Sequence, residues 1–139
     1  MLDTSTLPDI QYRANPGLLT VRWFAELSPE LMPQHYEAVL TAGLAHGTSR
    51  WLLDMRRRAN AAPAGISWLV TNWLPQARTA VAPHPLRLAY LILPHRAESL
   101  LHDPMLQAAR HQIRDSIEGV AIRAFCDEGD ALRWLTAQA

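Results

Sequence analysis

The sequence Arg50-Trp51-Leu52-Leu53-Asp54-Met55-Arg56-Arg57-Arg58-Ala59-Asn60 decides the fold of this chain. Its first half is a short apolar run that ends in a carboxylate, which is typical of a buried strand in a parallel sheet. The three arginines and the small residues after them indicate a loop that leads to a helix. Because parallel sheets place their sites beyond the carboxyl ends of the strands, Asp54 and these arginines form the first candidate site.

Outward from this strand, apolar periodicity predicts alternating strands and helices. The predicted strands are residues 10–13, 18–26, 51–55, 86–93 and 120–125, and the predicted helices begin near Ser28, Ile66, Asp103 and Asp127. The turn residues Asn15-Pro16-Gly17 predict that the first two strands form an antiparallel hairpin. The order β-β-α-β-α-β-α-β-α predicts a single α/β domain over residues 9–139, after a flexible N-terminal arm of residues 1–8. Its sheet is expected to be five-stranded, mixed and mostly parallel, with about four helices.

Local signals predict where the helices begin, bend and end. Ser28-Pro29 is a cap followed by proline, and Gly47 is expected to end the same helix. Pro75 is expected to bend or end the second helix. The third helix has the same cap-and-proline start at Asp103-Pro104, and Asp127 is expected to cap the last one. The first helix is expected to bury one apolar stripe, formed by Met32, Tyr36, Val39, Leu40 and Leu44.

The composition restricts the kinds of partner. The chain has 139 residues and a formal net charge of +0, so no global positive field favours nucleic acid. All 13 basic residues are arginine, which excludes lysine-dependent chemistry such as a Schiff base or a P-loop. The single cysteine, Cys126, suits a reducing compartment, and no apolar run approaches the ~20 residues of a membrane span. We expect a cytoplasmic protein without a signal peptide.

No motif in the sequence indicates an enzyme. The GxSxG, Walker and dinucleotide-binding fingerprints are absent, and the six histidines show no HExxH spacing. Cys126 has no base placed beside it by sequence, and a small buried side chain is the simpler interpretation. We therefore predict no catalytic residues, no metal and no cofactor.

Asp54 and the arginine loop each have two interpretations. A carboxylate at the end of a buried strand needs a partner, so Asp54 either caps the loop and pairs with Arg56 or serves as a ligand-binding group. Arg56, Arg57 and Arg58 cannot all point the same way, because alternate residues of a turning segment diverge. They either form a solvated loop or bind an anionic ligand or an acidic partner surface.

Trp68 is the fifth candidate binding residue. On an ideal helix it lies nearly opposite the apolar stripe centred near Val70 and Trp73, beside Thr71 and Asn72. An exposed tryptophan directly after the arginine loop would be a suitable interface anchor. The alternative is that the helix phase differs from this prediction and that Trp68 is covered.

The chain resembles the STAS superfamily, and within it the SpoIIAA-like branch. The resemblance covers roughly residues 9–136 and includes the sequences of three predicted strands, at residues 18–23, 51–56 and 86–93. Its best match is the ending Phe125-Cys126-Asp127-Glu128-Gly129-Asp130-Ala131-Leu132-Arg133-Trp134-Leu135, which is similar to that branch's strand phenylalanine, acidic cap and Ala-Leu-x-Trp-Leu helix. These motifs are mostly core and cap positions.

The resemblance implies a small α/β sandwich that works by binding. Anti-sigma-factor antagonists of this superfamily switch partners when a serine is phosphorylated in an Asp-Ser-Ser/Thr-Gly motif after the third strand. Here Asp54 matches the acid, whereas Met55, Arg56 and Arg57 occupy the next three places, and Ser67 lies too far along the chain to replace the phosphoacceptor. The branch is also similar in shape to CRAL-TRIO lipid-binding domains.

We therefore expect a non-enzymatic regulatory or protein-interaction module of STAS-like type, without the phosphoserine switch. Its contact surface would use Asp54, Arg56, Arg57, Arg58 and Trp68, and its partner would be another protein or a second copy. The alternative is a carrier of a small apolar or amphipathic anionic ligand, which needs an apolar cavity of roughly 300 Å³ or more. Neither expectation involves nucleic acid or a membrane span.

Overall fold

The structure is a computed structural model, and it describes residues 7–15, 17–24, 29–57, 68–95, 98 and 119–137. Five strands and three α-helices are seen in these ranges. The strands are β1 (Asp9–Arg13), β2 (Leu18–Arg22), β3 (Arg50–Asp54), β4 (Leu86–Leu91) and β5 (Val120–Phe125). The α-helices are α1 (Met32–His46), α2 (Leu74–Val81) and α3 (Glu128–Thr136); a 3₁₀ turn at Pro29–Leu31 precedes α1 and a π-helix at Leu69–Trp73 precedes α2.

The five strands form one sheet in the order β1-β2-β3-β4-β5. β1 and β2 are antiparallel, and the other three pairs are parallel. The predicted hairpin is confirmed, and Gly17 completes its turn with a φ of 89°, a conformation that suits glycine because it has no Cβ. The predicted α/β class with a mostly parallel five-stranded sheet is therefore confirmed.

Several predicted boundaries differ from the observed ones. The second strand ends at Arg22 and not near residue 26, although the Trp23 amide still donates to the Asp54 carbonyl of β3 (3.2 Å). The first α-helix begins at Met32, after the 3₁₀ turn, and Ser28 lies outside the described residues. Leu44, predicted in the buried stripe, is 55% exposed, and Cys126, interpreted as a small buried side chain, is exposed as well. Gly47 ends α1 as predicted, and Asp127 caps α3 with a hydrogen bond from the Asp130 amide.

The predicted helix over Asp103 to Ile117 and most of the predicted arm of residues 1–8 lie outside the described residues. The described ranges therefore contain three of the about four α-helices that we expected.

The sheet packs on both faces, because alternate strand residues point to opposite sides. One face, covered by α1 and α2, carries the larger core, and the opposite face is covered by α3. The strand residues of the larger core are Leu19, Val21, Trp51, Leu53, Leu86 and Leu88. The smaller core joins Leu18, Leu52, Ala89 and Leu91 to Ala131 and Leu135 of α3.

Three tryptophans in the larger core have hydrogen-bonded indole nitrogens. The indole N–H of Trp51 donates to the Thr48 carbonyl (2.7 Å), and that of Trp73 donates to the Tyr36 carbonyl (2.8 Å). Trp23 donates to Nδ1 of the buried His35 (3.1 Å), so this nitrogen carries no proton. Because each indole bonds to a fixed group, the aromatic rings are oriented and not only buried.

A wide helical turn explains how the second helix accommodates Pro75. The Leu74 amide bonds to the Leu69 carbonyl, five residues earlier, and α2 then begins with proline in its first turn. Proline cannot donate a helical hydrogen bond and clashes with the preceding turn, so widening that turn removes the conflict. Pro75 therefore does not end the helix, because it is the second residue of α2, directly after the π-helix.

Gly43 of α1 allows this helix to pack closely against Trp51 of β3. A Cβ atom placed on Gly43 would lie 2.3 Å from the six-membered ring of Trp51. The indole therefore occupies the space that any other residue at position 43 would need.

We predict that Gly43→Ala destabilises the protein by about 1–3 kcal/mol through overpacking. The change improves helix propensity by about 1 kcal/mol, so the net sign tests the Trp51 contact directly. Urea unfolding followed by circular dichroism measures the effect. The control Thr41→Ala, at an exposed site on the same helix, should change stability by less than about 0.5 kcal/mol. A more stable Gly43→Ala protein would contradict the contact.

Candidate functional site

Asp54 is the centre of the candidate site. It is the last residue of β3, it is 6% exposed, and in the register of the sheet it lies beside Arg22 at the end of β2. Both side chains point toward the face covered by α3, because Leu53 and Val21 next to them point into the larger core. The carboxylate is therefore buried at the carboxyl edge of the sheet, as the strand prediction implied.

Two arginines and a glutamate surround this carboxylate. The Arg56 side chain donates to both carboxylate oxygens of Asp54, from Nε to Oδ1 (3.0 Å) and from an Nη atom to Oδ2 (2.9 Å). The Arg56 backbone amide also donates to Oδ1 (3.2 Å). Arg22 donates from one Nη atom to Oδ2 of Asp54 and to Oε1 of Glu128, both at 2.8 Å. Glu128 also lies 3.8 Å from Arg56. These four residues form a neutral network, here called the Asp54 network.

The Asp54 network fixes the ionisation state of its central group. Burial alone would raise the pKa of Asp54, but the hydrogen bonds from Arg56 and Arg22 outweigh it and hold the pKa below its usual value. The pKa of Arg22 is raised, because Glu128 and Asp54 favour its charged form over the cost of burial. Asp54 is therefore a stable anion with both oxygens engaged, which makes it a weak proton acceptor.

α3 is held by polar contacts at both of its ends. At its start, Asp127 caps the helix and Glu128 joins the Asp54 network, where a carboxylate also suits the positive end of the helix dipole. At its end, Arg87 of β4 donates to the carbonyls of Trp134 (3.0 Å) and Ala137 (2.6 Å). These bonds satisfy acceptors that the last helical turn leaves open. Three arginines therefore hold α3 against the sheet: Arg22 of β2, Arg87 of β4 and Arg56 of the loop after β3.

Arg57 lies outside the Asp54 network. Its guanidinium is 5.5 Å from the centre of the Phe24 ring, a cation–π contact at the surface. Phe24 follows β2 and is 58% exposed. Arg56 and Arg57 therefore diverge as predicted, one toward Asp54 and one toward an exposed aromatic ring, whereas Arg58 lies outside the described residues.

Trp68 is placed differently from the expected exposed position. It is half-buried against the larger core, and its ring lies edge-on to Tyr36 with centroids 6.4 Å apart. The π-helix at Leu69–Trp73 takes in an extra residue per turn, so the phase computed for an ideal helix does not apply. The alternative interpretation, a shifted phase that covers Trp68, describes the structure, and a role for its remaining exposed part stays a prediction.

A shallow groove of about 130 Å³ lies between α3 and the hairpin, next to the Asp54 network. Gln11, Thr20, Arg22 and Glu128 supply polar groups, and Leu18, Leu52 and Leu132 supply apolar ones. The groove is well below the roughly 300 Å³ that a carrier of an apolar ligand needs. It does not supply the cavity on which the carrier alternative depends.

The sequence predicted two members of the Asp54 network and missed two. Asp54 and its pairing with Arg56 followed from the local order of residues, two positions apart. Arg22 and Glu128 are 32 and 106 positions from their partners, so only the sheet register and the docking of α3 bring them in. Arg22 lies within the second predicted strand, but that strand was predicted to reach residue 26 and the order of strands was not predicted, so nothing placed Arg22 beside Asp54. Phe24 carried no signal of exposure in a strand predicted to reach residue 26.

Within the described ranges, no three His, Cys, Asp or Glu side chains converge in a way that could hold a metal ion. No helix in the same ranges is long and apolar enough to cross a bilayer. Comparison with known protein families gives no matching family, and no curated protein matches the chain significantly.

We predict that Asp54→Asn costs roughly 2 kcal/mol of stability, because two guanidinium groups lose their shared anion. The cost stays below that of a fully buried pair, since solvent reaches both arginines. Chemical unfolding measures it. The matched control is Asp130→Asn, which breaks an exposed ion pair with Arg133 and should cost at most about 1 kcal/mol. Equal costs for the two variants would contradict the structural role of Asp54.

The lowered pKa of Asp54 predicts a specific acid sensitivity. Its pKa in the folded protein lies below the ordinary 3.8, so the unfolded chain binds the proton more readily. The stabilisation is therefore fully present above that value and is lost as the pH falls through the folded-state pKa. Unfolding measured from neutral pH down to about pH 2 should show a steeper loss for the natural protein than for Asp54→Asn. Parallel curves would refute the assignment.

Proposed function

We propose that the protein is a non-enzymatic, STAS-like protein-interaction module that binds its partner at the carboxyl edge of the sheet. The observation that carries the proposal is the exposed Phe24 ring with the Arg57 guanidinium over it. Aromatic and arginine side chains are the usual anchors of protein interfaces, and here the Arg57 guanidinium lies on the Phe24 ring. We call this pair, with Arg56 beside it, the edge surface.

The division of labour between the arginines supports this proposal. Arg22 and Arg56 are occupied by Asp54 and Glu128, so their charge serves the fold. Arg57 has no ion pair in the described part of the chain, so its guanidinium group remains available to bind a carboxylate of a partner. A partner that offers an apolar pocket for Phe24 and an acidic side chain for Arg57 would match the edge surface.

The chemistry of Asp54 favours binding over catalysis. A general base works best with a pKa near the operating pH and with a free oxygen directed at the substrate. Asp54 instead has a lowered pKa, and both of its oxygens accept bonds from arginine. Its role in the proposed module is to fix the loop that presents Arg57.

Trp68 is connected to the residue before Phe24 through a layer of aromatic rings formed with Tyr36 and Trp23. The Tyr36 ring lies 6.4 Å from Trp68 and 5.4 Å from Trp23, the residue directly before Phe24. In the proposed module Trp68 supports this layer from α2's side and offers its exposed part to the same partner. The regulatory role implied by the family resemblance would then operate without a phosphorylated residue after Asp54, because Met55 and Arg56 stand there.

We predict that the double variant Phe24→Ser with Arg57→Glu weakens partner binding by about 30-fold or more, the loss expected when interface anchors are removed. Proteins captured from an extract of the source cells by the natural chain would be identified and titrated against both forms. The matched control is Leu44→Ser with Arg78→Glu, which alters an exposed leucine and an exposed arginine elsewhere. Equal affinity of the two double variants for the captured protein would refute the edge surface.

A further inference from the structure

β1 is an edge strand in the described structure. It pairs with β2 on one side, and no other described segment pairs with it. Its sequence, Asp9-Ile10-Gln11-Tyr12-Arg13, contains no proline and no lysine, and its register with β2 has no bulge. Proline, lysine and a bulge are three of the devices by which edge strands avoid pairing with other chains, and without them the outer side of β1 can serve as a template for another strand.

The direction of the backbone groups follows from the hairpin turn. The Gly17 amide donates to the Arg13 carbonyl (3.0 Å), so the backbone of Arg13 faces β2. By the alternation of an antiparallel ladder, the backbones of Asp9 and Gln11 also face β2, and those of Ile10 and Tyr12 face outward. The free side of β1 therefore offers two amides and two carbonyls.

The strand is complementary to itself when turned around. Suppose that a second copy of β1 pairs with the first in the antiparallel direction, with the two Gln11 residues opposite each other on a twofold axis. Asp9 of each copy then lies opposite Arg13 of the other copy. Ile10 and Tyr12 then face each other and exchange all four outward backbone hydrogen bonds. Asp9 and Arg13 fall in the closer, non-hydrogen-bonded positions, where opposite charges interact best. Shifting the register by two residues in either direction loses the two ion pairs.

The side chains of β1 are suitably placed for this arrangement. Asp9, Gln11 and Arg13 are exposed, and Gln11 donates to the Asp9 carboxylate at 3.1 Å. Ile10 and Tyr12 are half-buried against the larger core, and Tyr12 stacks on His46 with ring centres 4.1 Å apart. A β-branched residue opposite an aromatic ring is a favourable cross-strand pair.

The other border strand lacks this complementarity. β5 contains one charged residue, Arg123, and a full antiparallel self-pairing would place it opposite Ile122. The charge pattern thus distinguishes β1 from β5 as a self-pairing edge.

We propose that two copies of this chain associate through β1, pairing antiparallel about Gln11 to form one continuous ten-stranded sheet. The contact is separate from the edge surface around Phe24 and Arg57. Because five residues a side bury less than a standard interface, the dimer is weak and depends on concentration. The closed twofold pairing uses both β1 strands and leads to a dimer, not a fibre.

Charge reversal provides the test. In Asp9→Arg every facing pair becomes Arg with Arg, and in Arg13→Asp every facing pair becomes Asp with Asp. Each single variant should be monomeric, but a mixture of the two restores both ion pairs and should form a heterodimer. The double variant Asp9→Arg with Arg13→Asp should dimerise like the natural chain. Sedimentation velocity over about 10 µM to 1 mM covers the range expected for a weak pair.

The outcomes are decisive in both directions. Recovery of the dimer in the mixture and in the double variant supports the β1 pairing, since loss of folding in the single variants could not produce it. A natural chain that stays monomeric over the whole range overturns the proposal. So does a dimer that is unchanged in the single variants, or one that the mixture fails to restore. The Phe24→Ser with Arg57→Glu protein should dimerise normally, which separates this contact from the edge surface.

Discussion

The contact between the Asp54 carboxylate and its two arginines is the interaction on which the arrangement of this edge depends. A carboxylate that is 6% exposed would be strongly unfavourable without cations, so the fold has to bring guanidinium groups to the end of β3. One comes from the neighbouring strand and one from the loop after β3, and Glu128 joins both from α3. The network thereby ties the hairpin, the central strand and the last helix at one point.

Arginine performs three structural tasks here. Arg56 binds Asp54 with two nitrogens, Arg87 donates from one Nη atom to two carbonyls at the end of α3, and Arg57 lies over an aromatic ring. The two-nitrogen contact of Arg56 and the ring contact of Arg57 use the planar guanidinium group, which lysine lacks. The absence of lysine, visible in the sequence as a bias of composition, thus corresponds to a particular chemistry of contact.

The predictable parts of the structure were those governed by local order. Apolar runs and turn residues predict the five strands of the described ranges, and Asp127 is predictable as a cap because capping is decided within a few positions. The helix that contains Pro75 was predicted with an ideal period, and its π-turn shifted Trp68 to the core side. Arg22 and Glu128 could not be assigned to Asp54, because their approach depends on packing between distant elements. Local rules state what a segment prefers, whereas the site is made where segments meet.

The cores on the two faces of the sheet differ in size. Among the described residues, 14 buried side chains form the core under α1 and α2, and 6 form the core under α3. Because an element opens more easily when few apolar contacts hold it, the attachment of α3 depends strongly on the polar contacts at its two ends. Detachment of α3 would expose Leu52, Ala89 and Leu91 but leave the larger core intact. It would also release Arg22 and Arg56 from Glu128. Such an opening would present an apolar sheet face beside the guanidinium groups of Arg22 and Arg56.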